Sequence, residues 1–328
     1  MARRIAATHD LGTLGHPASV RVRDGGASAL IGAKVLWTFG DTIFTPRAED
    51  GVSLRSNTAA LADPARPLQV SEPLDANGAP YPFLAFTPDE QHYNDTTGKP
   101  DDRIALWVGS VIITSPDSGL VFYTKLKVKP GALNYDLQGV GLARVQAGQR
   151  VAVRDPNLLF MAPEPNFVNA FVLQGMVYVY GNFNNGTLDT ALARVPLAQV
   201  AERTAYRFWD GTNWVTDVQH AQSILHDIPN SLSVSYNPFL QQFLAVNSGT
   251  YLTSPNQVLM RIAPNPEGPW SEPAVLLAGE PPAINMIDYA GLEHPELATG
   301  DGRKIVISYF HPLGFLKGEL RLVEIAFE

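Results

Sequence analysis

A pair of short apolar runs joined by a turn recurs five times along this 328-residue chain. The runs are rich in β-branched and aromatic residues and are bounded by Gly, Asn, Asp and Pro, which is typical of β-hairpins. Helical periodicity is hard to find between them, so the sequence predicts an all-β protein. The five pairs are SALIGAKVLWTFGD (28–41), SVIITSPDSGLVFYTK (110–125), NAFVLQGMVYVYGN (169–182), SLSVSYNPFLQQFLAVNS (231–248) and HPELATGDGRKIVISYF (294–310).

A third apolar run follows each pair, and several of these runs resemble one another. They are SNTAALAD (56–63), GVGLARV (139–145), DTALARV (189–195), QVLMRIA (257–263) and GELRLVEI (318–325). If their leucines are equivalent, the spacings are 81, 50, 67 and 63 residues for Leu61, Leu142, Leu192, Leu259 and Leu322. A repeat of about 65 residues, taken five times, accounts for the whole chain and indicates a repeat architecture.

Fourth strands are predicted in the first four units, at PLQVSEP (67–73), RVAVRDPNLLF (150–160), YRFWDGTNWV (206–215) and GPWSEPAVLL (268–277). The fifth unit has none, and residues around Arg4 to Thr8 are predicted to supply it from the opposite terminus. We therefore expect a single domain over residues 1–328, a five-bladed β-propeller with four-stranded blades and an N-terminal strand closing the last blade. A pair of β-sandwiches and a β-helix are the alternatives. The Pro-rich insertion 63–102 is predicted to be a loop over one face.

Charge and motifs exclude several classes of function. The net charge is −8, with no Lys/Arg-rich run, so nucleic acid and anionic membranes are not expected partners. The absence of cysteine removes disulfides, thiolate nucleophiles and Cys-type zinc sites. No window has the length of a membrane span, and no GxSxG, GxxxxGK[ST], GxGxxG or HExxH motif is present. Neither a required cofactor nor a catalytic metal is expected, and the oligomeric state is left open.

Two aspartates bracket the first hairpin, Asp24 in RDGG and Asp41 in GDT. The start of the first strand and the end of the second lie at the same edge of an antiparallel pair, so both carboxyl groups should reach one funnel mouth. Two nearby carboxyl groups in a partly dry site divide into an acid and a base or nucleophile, as glycoside hydrolysis requires. The alternative is that Asp24 is a turn residue and Asp41 caps a strand end. Which residue is the acid, and whether anomeric configuration is retained or inverted, stays open.

Polar and aromatic side chains occupy the corresponding edge of the other units, and we expect them to bind sugar hydroxyls. These predicted substrate-binding residues are Trp107, Lys125, Asn166, Asn169, Asn182, Ser233, Asn247, His294, Glu296 and Tyr309. Glu164 and Glu296 are candidates for a third carboxylate, with a loop charge or a salt-bridge partner as the alternative. His294 is expected to be a hydrogen-bonded channel residue or to hold a structural calcium ion in the central channel.

The chain resembles a five-bladed propeller family first catalogued as a domain of unknown function and later found to include bacterial endo-D-arabinanases. The segments that carry the resemblance are RDGG, VLWTFGDT, SNTAA, VYVYGN, LARVP, GPWSEP and HPEL…IVISY, in that order along the chain. The resemblance implies hydrolysis of α-D-arabinofuranosyl linkages in mycobacterial arabinogalactan and lipoarabinomannan, with Asp24 and Asp41 as the catalytic pair.

Other furanosides, such as L-arabinan or a fructan, and a non-catalytic sugar-binding propeller are the alternative functions. A lectin should repeat its binding residues blade by blade, whereas the acidic pair occurs in one unit, which favours an enzyme. Action on an external polymer implies a secreted or cell-envelope protein. The opening segment MARRIAATHDLG lacks the apolar stretch of a signal peptide, so a cytoplasmic location is the alternative.

Overall fold

Five antiparallel sheets make up the computed structural model, which describes residues 5–131, 134–229, 231–282 and 286–328. The first strand, β1 (Ile5–Thr13), belongs to the last sheet. Blade one contains β2 (Val20–Ile31), β3 (Lys34–Phe44), β4 (Leu54–Arg55), β5 (Thr58–Asp63) and β6 (Arg66–Ser71). Blade two contains β7 (Arg103–Ser115), β8 (Ser118–Val128), β9 (Tyr135–Gln146) and β10 (Val153–Met161).

The remaining blades follow in chain order. Blade three contains β11 (Asn166–Leu173), β12 (Met176–Asn182), β13 (Thr190–Pro196), β14 (Arg207–Trp209) and β15 (Trp214–Val215). Blade four contains β16 (Leu232–Asn237), β17 (Gln242–Ser248), β18 (Gln257–Ala263) and β19 (Ala274–Ala278). Blade five contains β20 (Tyr289–Glu293), β21 (Lys304–Gly314) and β22 (Lys317–Phe327), and β1 completes it. The predicted all-β, five-bladed propeller is confirmed.

The inner strands form a closed ring. Each of β2, β7, β11, β16 and β20 contacts the next, and β20 returns to β2. Ring closure also uses the chain start, since β1 pairs antiparallel with β22 from Ile5 opposite Phe327 to Thr13 opposite Arg321. This confirms the predicted closing strand, although Arg4 lies outside the described residues. Apolar clusters fill the spaces between neighbouring blades, such as Phe122, Phe160 and Phe167 between blades two and three.

Three predicted segments differ in detail. The inner strand of blade five is β20, and Pro295–Leu297 in HPEL is a 3₁₀ turn, because a proline has no N–H to donate to a ladder. The fourth run of blade three splits into the hairpin β14–β15. In blade four the fourth strand begins at Ala274, beyond Pro269 and Pro273.

The insertion between blades one and two is not an irregular loop. After β6 it contains helix α1 (Pro88–Thr97), which begins with a capping box between Thr87 and Glu90. Phe83 and Leu84 are buried in the apolar cluster between blades one and two. The insertion is therefore part of the core. None of the helices in the described residues has the length and apolar character needed to cross a membrane.

Candidate active site

Asp24 lies on an irregular part of β2. The pairing with β3 shifts register on either side of Gly25, and Gly25 and Gly26 have φ of 84° and 100°. Such bulges re-aim side chains, and here they turn the half-buried Asp24 towards β3. A Cβ on Gly40 would lie 2.5 Å from Oδ1 of Asp24, so glycine at position 40 lets this carboxyl group approach the strand backbone. There it accepts a hydrogen bond from the backbone N–H of Asp41.

The surroundings of Asp24 favour its protonated form. Burial, and then the negative charge of Asp41, raise its pKa to about 7. The hydroxyl of Tyr289, on blade five, donates to Oδ2 over 3.0 Å and opposes this rise, as does the backbone N–H of Asp41. Asp24 is therefore protonated in mildly acidic solution. Its hydrogen-bond donors can stabilise the carboxylate that forms when the proton leaves.

Asp41 has different partners. Its Oδ2 lies 2.5 Å from Nη2 of Arg103, and its Oδ1 accepts the indole N–H of Trp107 over 3.2 Å. Both partners come from β7 of blade two. The Asp41 side chain is 30% exposed, so the carboxylate is open to solvent while it forms an ion pair. The two aspartates thus lie close together where blades one, two and five meet, in contrasting environments.

An aromatic edge adjoins Asp41. The ring of Trp107 meets that of Tyr135 edge-on, with centroids 5.4 Å apart and planes at 75°. Tyr135 is 39% exposed at the start of β9. Trp107, predicted from the sequence, therefore lies at the site, and Tyr135 joins it unpredicted.

Lys125, another predicted substrate-binding residue, forms an ion pair within the protein. The ammonium group of Lys125 lies 2.6 Å from Oε1 of Glu90, which also binds Arg154. Burial opposes the effect of these bonds, yet they lower the pKa of Glu90 to about 2. Lys125 and Arg154 thereby anchor α1 to blade two.

Three further predicted residues are half-buried near the ends of inner or second strands. Asn166 accepts a hydrogen bond from the Thr124 hydroxyl over 2.9 Å. Asn182 donates to the Ile228 carbonyl over 2.7 Å. The hydroxyl of Ser233 accepts the Glu293 N–H over 2.7 Å. None of these contacts links them to Asp24 or Asp41.

Three further predicted substrate-binding residues are buried, and their role in substrate binding stays a prediction. Asn169 is 7% exposed. Asn247 is fully buried and accepts a hydrogen bond from Arg261. Tyr309 packs in the apolar core between blades four and five. Successive side chains on a strand point to opposite faces, so proximity to a strand end does not place a residue on the open rim.

His294 and Glu296 are bound by other side chains of the protein. The Ser28 hydroxyl bonds to Nδ1 of His294 at 2.5 Å and donates to Glu296, and Nε2 of His294 meets the Ser308 hydroxyl at 2.8 Å. Ser28 is four residues beyond Asp24 on β2. His294 is fully buried, and burial lowers its pKa to about 3. These two residues do not share a strand face, because Glu296 is in the 3₁₀ turn.

The remaining candidates lie elsewhere or stay open. Glu164 pairs with Arg203 and accepts the Met161 N–H, which is the salt-bridge alternative. Within the described ranges, no three His, Asp or Glu side chains are grouped to hold a metal ion. The calcium ion in the channel stays a prediction.

Sequence reasoning missed Tyr289 and Arg103. Tyr289 stands in MIDYAGLE, a run too short and too interrupted by glycine to be recognised as an inner strand. Arg103 stands four residues before Trp107, at the very start of β7. Its position as the first residue of an inner strand is the signal that would have identified it.

Comparison with known proteins gives a family match and a set of similar folds. Residues 138–312 match the model of the family described as Domain of unknown function (DUF4185). No curated protein matches the sequence.

Several solved structures share the fold at low sequence identity. A candidate hydrolase from Bacteroides ovatus ATCC 8483 has a TM-score of 0.69 and 15% identity, over 94% of this chain and 87% of that one. The catalytic domain of the GH62 α-L-arabinofuranosidase of Coprinopsis cinerea has a TM-score of 0.54 and 9% identity, over 97% and 96%. A GH43_1 enzyme from Xanthomonas citri has a TM-score of 0.52 and 9% identity, over 94% and 89%. At these identities the likeness is one of fold.

Proposed function

The chain belongs to the DUF4185 family, and we propose that it is a glycoside hydrolase that cleaves α-D-arabinofuranosyl linkages within mycobacterial arabinan. The observation that carries the proposal is the proximity of Asp24 and Asp41 where blades one, two and five meet. The first is buried enough to keep a proton up to a pH of about 7, and the second is an open carboxylate in an ion pair. A single acid is common on protein surfaces, whereas two with opposed environments in one opening suit acid and base roles.

The chemistry assigns a task to each residue. Asp24 gives its proton to the glycosidic oxygen as the bond from that oxygen to the anomeric carbon breaks, and the electron pair of the broken bond stays on the leaving oxygen. Asp41 either attacks the anomeric carbon or takes a proton from the water that does so. Trp107 and Tyr135 offer aromatic surface beside Asp41 against which a sugar ring can pack.

The substrate rests on two supports. The resemblance to the endo-D-arabinanase family indicates D-arabinan. Among proteins with the same fold, those of Coprinopsis cinerea and Podospora anserina are α-L-arabinofuranosidases, which favours a furanoside substrate. They also make L-arabinan the second candidate substrate. Because a cell-wall polymer lies outside the cytoplasm, we place the enzyme in the secreted or cell-envelope class.

The test is incubation with purified mycobacterial arabinogalactan and, separately, with L-arabinan, followed by chromatography of the released oligosaccharides. Wild type should release fragments from arabinogalactan, and Asp24→Asn and Asp41→Asn should each lose activity by orders of magnitude. Asp63→Asn is the matched control, since Asp63 is an aspartate of the same blade whose side chain is 41% exposed and lies near Lys34. No release by wild type rejects the arabinanase. Release from L-arabinan alone moves the substrate to the second candidate, and full activity of both Asn variants rejects the site.

A further inference from the structure

Tyr289 reaches the catalytic acid from a different blade. Its hydroxyl donates to Oδ2 of Asp24 over 3.0 Å, from β20 across to β2. We propose that Tyr289 is the positioning residue that orients Asp24 and stabilises the carboxylate formed when Asp24 gives up its proton. This inference rests on the proposed function, since it assigns a role within the same proton transfer.

The two oxygens of Asp24 have separate partners. Oδ1 lies against β3, where a Cβ on Gly40 would come within 2.5 Å, and the carboxyl group accepts the Asp41 N–H. Oδ2 takes the Tyr289 hydroxyl. The Asp24 carboxylate therefore has fixed donors on β20 and β3, besides its own backbone N–H, and these hydrogen bonds strengthen as negative charge develops on it during proton transfer.

Tyr289 is suited to donate and not to ionise. Burial, and then the negative charges of Asp24 and Asp41, raise the pKa of the Tyr289 phenol far above its ordinary value. The phenol therefore keeps its proton at every pH at which the enzyme would work. It supports the acid and does not replace it.

The irregular backbone of β20 directs the Tyr289 side chain towards Asp24. The pairing of β20 with β21 shifts register between Tyr289 and Leu292, and Ala290 has φ of 56°, which is unfavourable for a residue with a side chain. The Gly291 N–H is fixed by the Ser248 hydroxyl of blade four over 2.7 Å. The Tyr289 ring packs against Phe310, with centroids 4.8 Å apart. Strained backbone held by its surroundings is characteristic of functional sites.

A backbone bulge follows the contacting residue on both sides of the Asp24–Tyr289 contact. Asp24 precedes a bulge at Gly25 and Gly26, and Tyr289 precedes one at Ala290 and Gly291. Two irregular inner strands of neighbouring blades thus direct one carboxyl group and one phenol at each other.

The proton transfer can be followed through these groups. The O–H bond of Asp24 breaks, its proton moves to the glycosidic oxygen, and its electron pair remains on Asp24 as carboxylate charge. Tyr289 stabilises that charge by hydrogen bonding and transfers no proton. The titratable groups that face Asp24 in the described residues are Asp41 on β3 and Tyr289 on β20, and Arg103 on β7 pairs with Asp41.

The first experiment measures kcat and KM of Tyr289→Phe on arabinogalactan from pH 4 to 9. Because the lost hydrogen bond favours the charged form of Asp24, the alkaline limb of the rate profile should move to higher pH. kcat at pH 6 should fall by about 10- to 100-fold with little change in KM, since the bond is strongest in the transition state. Tyr206→Phe is the matched control, because it loses a buried hydroxyl that bonds the Val200 carbonyl in blade three. An unmoved limb with unchanged kcat overturns the proposal, as does a rise in KM alone.

A second variant guards against misfolding of the first. Site-specific 3-fluorotyrosine at position 289 keeps the shape and makes the phenol a stronger donor, so the alkaline limb should move to lower pH. A limb that stays in place also overturns the role.

The proposal can be separated from the proposed function without a substrate. The ¹³C resonance of the Asp24 carboxyl group, identified by its loss in Asp24→Asn, is titrated in wild type and Tyr289→Phe. A higher midpoint in the variant supports Tyr289 even if arabinan is not cleaved, and an identical midpoint rejects it even if arabinan is cleaved.

Discussion

The guanidinium of Arg103 in blade two lies 2.5 Å from the carboxylate of Asp41 in blade one, so an ion pair crosses the boundary between these blades. The Arg103 side chain is 10% exposed, and its Nη1 also binds the Pro100 carbonyl. A buried, doubly bonded guanidinium has a fixed direction, which orients Asp41 as well as favouring its negative charge.

Replacement of Arg103 by Gln should therefore reduce kcat by about 100-fold, because Asp41 loses its charge-assisted donor and its orientation. Steady-state kinetics on arabinogalactan would measure this loss. The control is Arg144→Gln, which removes an arginine of the same blade that pairs with Asp155 away from the mouth. Equal activity of the two variants would contradict a role for Arg103.

Replacement of Gly40 by Ala should lower activity without unfolding the protein. The added Cβ would lie 2.5 Å from Oδ1 of Asp24, and the φ of Gly40 is not in the left-handed region, so the main conflict is with a movable carboxyl group. We expect a loss of about 10-fold or more in kcat from the displaced acid, with a melting temperature close to that of wild type. Gly314→Ala, whose Cβ would meet ordinary contacts at 3.8 Å, should change neither quantity. A large fall in melting temperature for Gly40→Ala would show that the backbone yields instead.

Replacement of Asp24 by Asn should change how stability depends on pH. The folded-state pKa of Asp24 is about 7, well above that of an aspartate in an unfolded chain. Between about pH 4 and 7 the folded protein holds a proton that the unfolded chain releases, so the contribution of Asp24 to stability falls as the pH rises through this window. Asparagine lacks this titration. The free energy of unfolding of the variant, relative to wild type, should rise by about 1–4 kcal/mol between pH 4.5 and 7.5, as measured by urea denaturation. A difference that does not change with pH would contradict the shifted carboxyl group.

Replacement of His294 by Gln should have the opposite pH signature. Burial lowers the folded-state pKa of His294 to about 3, so as the pH falls from about 6.5 towards 3 the unfolded chain binds a proton that the folded protein excludes. Wild type therefore loses stability in that window. At pH 7 the variant should be less stable by about 1–3 kcal/mol, because the Ser28 and Ser308 hydroxyls lose their partner. That deficit should narrow by pH 4.5, and a constant deficit would show that the imidazole is not held neutral.

The features that could be predicted from the sequence are those fixed within a single hairpin or strand. The hairpin around Gly32 fixes which ends of β2 and β3 lie together, so Asp24 and Asp41 could be assigned to one edge from chain order alone. The register of repeated strands follows from their alternating apolar residues, which is why the five units and the closing strand were predictable.

The parts that were missed depend on irregular backbone or on contacts between blades. The bulge at Ala290 and Gly291 breaks the alternation that would have revealed β20, and with it Tyr289. His294 and Tyr309 were predicted to lie on the rim. Their positions along the propeller axis depend on where β20 begins, which the sequence pattern did not show. The pairing of Arg103 with Asp41 joins two sheets, and no spacing within one repeat contains it.

Asp24 and Tyr289 are 265 residues apart, and they meet where the first and last blades join. While the nascent chain is still on the ribosome with blade five unsynthesised, Asp24 has neither its phenol nor the walls that dehydrate it. Under the proposed function, activity regained in a refolding assay would therefore require the final sheet to be seated beside the first.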